Sequence, residues 1–149
     1  MKKYVAILMV AVMLLALAAC QAPTNEAKDK FVVGVCQLVQ HPALDAATKG
    51  FVETLKAEFG DNIEILEKNA SNDIPTCSTI VNDFVTKNVD LIMANATPAL
   101  QAAAQATDEI PILGTSVTEY GVALGIDNFS GLVGTNVSGT SDQIGRAHV

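Results

Sequence analysis

The sequence predicts an α/β fold built on a parallel sheet, and three observations carry that reading. Short apolar runs recur at residues 31–36, 90–94, 110–115 and 131–137, as strands covered on both faces require. Between them lie stretches with apolar residues at helical spacing, opened by Pro42, Pro75 and Pro98, where a missing N–H costs nothing. The connections are also long enough for helical crossovers, which parallel pairing demands.

Each element follows from its residues. Residues 31–36, FVVGVC, form the first strand, and residues 37–41 its turn. The first helix starts at Pro42, carries the stripe Leu44, Ala47, Phe51 and Leu55, and stops near Phe59 at Gly60-Asp61-Asn62. Residues 63–67 alternate, so they predict a second strand with one wet face, at a sheet edge. Residues 69–73 carry turn chemistry, and Pro75 opens a helix whose apolar face is Ile80, Val81, Phe84 and Val85. A buried third strand at 90–94 turns through Asn95-Ala96-Thr97 into an Ala-rich helix that can lie close to the sheet. A fourth strand is expected at 110–115, then a turn or short helix from Ser116 to Tyr120. The fifth strand is expected at 131–137, with residues 138–142 leaving it. In such sheets ligands sit beyond the carboxyl ends of the strands, where helix N-termini point.

Charge and composition exclude several classes. The formal net charge is -7, and no basic patch is available to meet nucleic-acid phosphates. Of the three cysteines, Cys36 and Cys77 read as buried apolar thiols or, in an exported protein, as a disulfide. No CxxC or Cys/His cluster signals a metal, and no motif signals a cofactor.

The N-terminus reads as an address and an anchor. Met1-Lys2-Lys3 is basic, an apolar run follows, and Leu17-Ala18-Ala19-Cys20 resembles the bacterial lipobox, with Cys20 as the lipidated residue. Residues 1–19 are then a lipoprotein signal peptide, whose loss removes Lys2 and Lys3 and takes the charge from -7 to -9. Residues 20–30 read as a lipid-anchored, flexible tether. The expected location is outside the cytoplasmic membrane, held to it by acyl chains.

Four stretches stand out together: Gln40-His41-Pro42-Ala43-Leu44-Asp45 with Lys49-Gly50-Phe51, then Ala96-Thr97-Pro98-Ala99, then Ser116-Val117-Thr118-Glu119, and the run from Gly134 to Asp142. In this order they resemble one family, the substrate-binding proteins of bacterial ABC importers in the group that includes tryptophan and tyrosine binders. At Glu119-Tyr120 the family more often has Asp-Pro. The resemblance implies a type I periplasmic-binding-protein fold, two Rossmann-like lobes closing on a small solute. Residues 31–142 correspond to the first lobe, with the second lobe absent and expected after Asp142. Residues 143–149 fall outside the pattern, and the last six resemble a translated sequencing adapter, so they are expected to be non-native.

A free amino acid offers a carboxylate, which suits helix N-termini and hydroxyls. Ala96 and Thr97 form one candidate set for it, and Ser116 and Thr118 another. Glu119 and Asp142 could meet its ammonium, with Asp45 a weaker candidate. Gln37, Gln40 and His41 line the first turn and could touch the ligand body. Each residue also has a structural reading: Thr97, Ser116 and Thr118 as helix caps, His41 as a turn residue, Glu119 as a solvated carboxylate. The expected partners are a small solute and a membrane permease. The alternatives are a lipid-anchored sensing module and a flavodoxin-like enzyme. Against the enzyme, the sequence has no G-x-S-x-G, H-E-x-x-H or P-loop, and His41 is its sole histidine before the tail.

Overall fold

The computed structural model describes residues 30–142. The expected signal peptide at 1–19, Cys20, most of the expected tether and the tail at 143–149 lie outside the described residues. Five strands form one parallel sheet in the order β2-β1-β3-β4-β5. They are β1 (Phe31–Gln37), β2 (Ile63–Asn69), β3 (Leu91–Asn95), β4 (Ile112–Val117) and β5 (Val137–Ser141). The helices are α1 (Pro42–Phe59), α2 (Ile74–Thr86), α3 (Thr97–Ala106) and α4 (Tyr120–Leu124). A single 3-10 turn, Gly60–Asn62, follows α1. The edge position expected for the second strand is observed.

Sheet alternation sorts the core into two layers. Val33, Val35 and Met93 meet Val52 of α1 on one face, with Phe51 and Leu55 packed against them. Cys36, Ile92, Ala94 and Ile112 meet α2, α3 and α4 on the other face through Val81, Phe84, Leu100 and Tyr120. Phe84 is fully buried, and its ring lies where a side chain on residue 34 would stand, at 2.5 Å from an ideal Cβ. Gly34 is therefore a close-approach glycine in the middle of β1. The alanines of α3 have the same logic: Ala99 and Ala103 are fully buried, so the helix rides low on β3 and β4.

Two strands differ from expectation. The fourth was expected at 110–115 and runs from Ile112 to Val117. The Ile110 carbonyl is taken by the Asn136 side chain at 2.7 Å, and the Thr107 carbonyl accepts from the same amide. The fifth was expected at 131–137, but β5 begins at Val137 and runs to Ser141. Gly131 and Gly134 have φ of 92° and 74°, values that a strand does not use. Tyr120 explains two further glycines. Its hydroxyl donates to the Thr140 carbonyl at 3.3 Å and lies where Cβ atoms on Gly114 and Gly139 would be.

Candidate ligand-binding site

Because all five strands run the same way, the turns at residues 37–41, 69–73, 96–97 and 118–119, with Asp142, share the carboxyl rim. The last rung of the sheet is polar. Register places Asn69 beside Gln37, Gln37 beside Asn95, and Asn95 beside Thr115. The strand order reverses direction between β1 and β3, so this topological switch point is where a crevice opens in such sheets.

A buried network underlies the switch point. Gln37 donates from Nε2 to the Val39 carbonyl at 2.8 Å and to Asp45 Oδ1 at 2.6 Å. The Thr48 hydroxyl donates to Gln37 Oε1 at 2.6 Å and accepts from Asn95 Nδ2 at 2.9 Å. Asn95 Nδ2 also donates to the Leu44 carbonyl at 2.8 Å, while its fully buried Oδ1 has no protein partner. These bonds fix the start of α1 against β1 and β3. Backbone bonds then tie the turns together: Leu38 N to the Asn95 carbonyl, Ala70 N to that of Gln37, and Asn72 N to that of Leu38.

The helix starts are not alike. His41 caps α1, its Nδ1 accepting from Ala43 N at 3.3 Å, and Asp73 caps α2, its Oδ2 accepting from Thr76 N at 3.0 Å. Glu119 caps α4 by accepting from Gly121 N and Val122 N at 2.8 and 2.6 Å. The start of α3 has no side-chain cap: its cap residue is Ala96, at φ 100° and ψ 158°. That is costly backbone for an alanine, on the order of 1–3 kcal/mol, and such strain gathers at functional sites. Ser71, Asn72 and Ser116 also have positive φ, so four of the six such non-glycine residues among those described stand at this rim. Ala96 is locked in place by its N–H to the Thr115 carbonyl and its carbonyl to Leu100 N.

The residues expected at the site are thus distributed as follows. Ala96 and Thr97 open α3 beside the switch point, and Thr97 is the first helical residue, not the cap. Gln37 lies beneath the turn with its amide engaged, whereas Gln40 and His41 are exposed above it. Ser116 lies within β4 at the irregularity between Gly114 and Val117. Neither Ser116 nor Thr118 caps α4; the Thr118 carbonyl accepts from Ser141. Glu119 already holds two backbone amides. Asp142 donates its N–H to the Val117 carbonyl. Burial raises the Tyr120 phenol above its ordinary range, and the Asp142 charge adds to that. Asn95, Thr48 and Asn69 were not singled out from sequence. A signal for two of them was there: β2 ends in Asn69-Ala70-Ser71 and β3 in Asn95-Ala96-Thr97, one pattern at two strand ends.

A cavity of about 490 Å³ runs along α1 on the β2 side, past Gln37, Gln40, Thr48, Lys56 and Glu67. It does not reach the start of α3. A rim that forms one wall of a crevice encloses little space by itself, so volume does not mark the site. Among the described residues no group of acids, cysteines and histidine could hold a metal.

A parallel sheet with polar turns and an uncapped helix start gathered at one rim is the architecture of a Rossmann-like lobe. Residues 32–147 match the family model of ABC transporter substrate binding protein, and the chain belongs to that family. A curated relative, the tyrosine-binding protein of Clostridioides difficile (strain R20291), is 45% identical over 123 residues, covering 80% of this chain and 35% of its own length. Two solved structures align with 76% of this chain and 39% of theirs. One, at 47% identity and TM-score 0.70, is the ligand-free, open form of a substrate binding protein with adhesive properties from Clostridium difficile. The other, at 33% identity and TM-score 0.69, is a Streptococcus pneumonia ABC domain in complex with L-Trp. The chain therefore spans just over a third of the length of these relatives, and its fold is that of a single periplasmic-binding-protein lobe.

Proposed function

We propose that this chain supplies one wall of an extracytoplasmic receptor for a free amino acid, aromatic in its side chain, which is passed to the permease of an ABC importer. The observation that carries the reading is the open start of α3. This ten-residue helix begins at the switch point with no side chain closing it and a strained residue at its cap. Its free N–H groups and dipole suit a carboxylate, and in this reading the Thr97 hydroxyl adds a hydrogen bond. The aromatic preference rests on the relatives named for tyrosine and bound to L-Trp. The family is one of binding proteins and not of enzymes, which supports capture over turnover.

In this reading Gln40 and His41 flank the ligand body, Gln37 positions their turn, and Ser116, Thr118 and Asp142 border the far side. Glu119, committed to its cap, serves the ammonium less well than backbone carbonyls would. The lipobox makes Cys20 the lipid anchor that keeps the receptor at the membrane.

Amide chemical shifts of the labelled full chain, followed during titration with millimolar L-phenylalanine or L-tryptophan, test the carboxylate site. The signals of Thr97 and Ala99 should move most, and the carboxamide analogues should move them far less. Equal responses to acid and amide, or shifts confined to the groove along α1, would refute the placement. Labelling of producing cells with a radioactive fatty acid tests the anchor: incorporation should vanish in Cys20→Ser.

A further inference from the structure

We propose that Cys36 and Cys77 are a disulfide-forming pair whose redox state is set while the chain folds. Cys36 is the penultimate residue of β1, and Cys77 lies in the first turn of α2. Both are free, fully buried and part of one apolar cluster, and each thiol lies near enough to the other to influence its titration. A strand thiol and a helix thiol that neighbour each other in one core join wherever their Cβ atoms come within disulfide reach.

Burial decides when they can join. Burial, and then the neighbouring Cys77, push the Cys36 thiol up to about 12, and burial raises Cys77 too. The thiolate is the reactive form, so in the folded protein both groups are inert at neutral pH and out of reach of an oxidant. In the unfolded chain both are exposed and titrate in the ordinary thiol range. Oxidation therefore belongs to folding, or to refolding after export into an oxidising space.

The oxidant is a small-molecule disulfide such as oxidised glutathione. One cysteine thiolate attacks it and releases a glutathione thiol; the second cysteine then displaces the other half. One Sγ–Sγ bond forms, the glutathione disulfide breaks, and the two electrons and two protons lost by the cysteines end on two glutathione thiols. The bond would brace the rim, because Gln37 follows Cys36 directly and Asp73, which caps α2, ends the second rim turn. This inference does not depend on the ligand reading.

The test compares two samples of the full chain in one mixture of reduced and oxidised glutathione, one refolded in it from denaturant and one folded and reduced beforehand. Unpaired thiols are then alkylated under denaturing conditions, and the chains are cut with trypsin. Lysines 3, 28, 30, 49, 68 and 87 put Cys20, Cys36 and Cys77 in separate peptides, 4–28, 31–49 and 69–87. The refolded sample should give 31–49 joined to 69–87, about 2 Da below their combined mass, and a higher melting temperature. The sample oxidised after folding should give both peptides unlinked and alkylated. Unlinked peptides after refolding, or links to peptide 4–28 instead, would overturn the pairing. Linkage in the prefolded sample would overturn the claim that folding sets the state.

Discussion

At the scale of single residues, Thr48 holds more of the site than any residue that faces solvent. Its hydroxyl donates to Gln37 and accepts from Asn95, so one oxygen joins α1 to two strands at the switch point. Thr48→Val keeps the shape and removes that oxygen, leaving two buried amide groups short of a partner at about 1–3 kcal/mol each. We expect a lower urea midpoint with an unchanged slope, together with altered amide shifts from Gln37 to His41; an unaltered midpoint would show that the network is not a stabilising one. Titration gives a second residue-scale prediction. Cys36, Cys77 and Tyr120 all have folded pKa values raised above their unfolded ones. Their contribution to stability is complete below the unfolded thiol value of 9.0 and is lost as pH rises toward the folded values, about 12 for Cys36. For the reduced protein, urea midpoints should hold steady in this respect from pH 7 to 8.5 and then fall through pH 9 to 11.

At the scale of elements, two glycines predict opposite outcomes. Gly50 sits inside α1 with nothing within 4 Å of the place a Cβ would take, so Gly50→Ala should stabilise by roughly 0.5–1 kcal/mol through helix propensity. Gly139 in β5 faces the Tyr120 hydroxyl and the Gly114 backbone, and Gly139→Ala must push them apart. Calorimetry should record a rise in melting temperature for the first and a fall for the second. The elements also show what the sequence could tell. β1, β2 and β3 were legible from their apolar runs and alternation, and α1, α2 and α3 because each opens on a proline and continues in helix-forming residues. β5 was not. Its residues VSGTS are polar and mostly exposed, while the apolar run before it, GLVGTNV, bends at two left-handed glycines. Periodicity favoured the wrong stretch, and only the glycines argued against it. Within the site, the α3 start was legible from Ala96-Thr97-Pro98. The roles of Gln37 and Glu119 were not, since a polar residue at a turn reads the same whether it meets a ligand or holds backbone.

At the scale of the whole molecule, the sheet order concentrates these features at one end and leaves them facing outward. A single wall buries less than half of a small ligand, and tight sites bury far more. Calorimetric titration of this chain with L-tyrosine should therefore give a dissociation constant no tighter than about 1 mM. A micromolar value would mean that the described lobe encloses its ligand unaided. The sheet's outer border has a consequence of its own. β2 pairs with β1 on one side, and its outward length carries Glu64, Glu67 and Lys68. The glutamates of two copies brought edge to edge along such a border repel, which keeps them from adding strand to strand. Exchanging both glutamates for glutamine would lift that repulsion, and concentrated solutions would then scatter more light as copies paired along this edge.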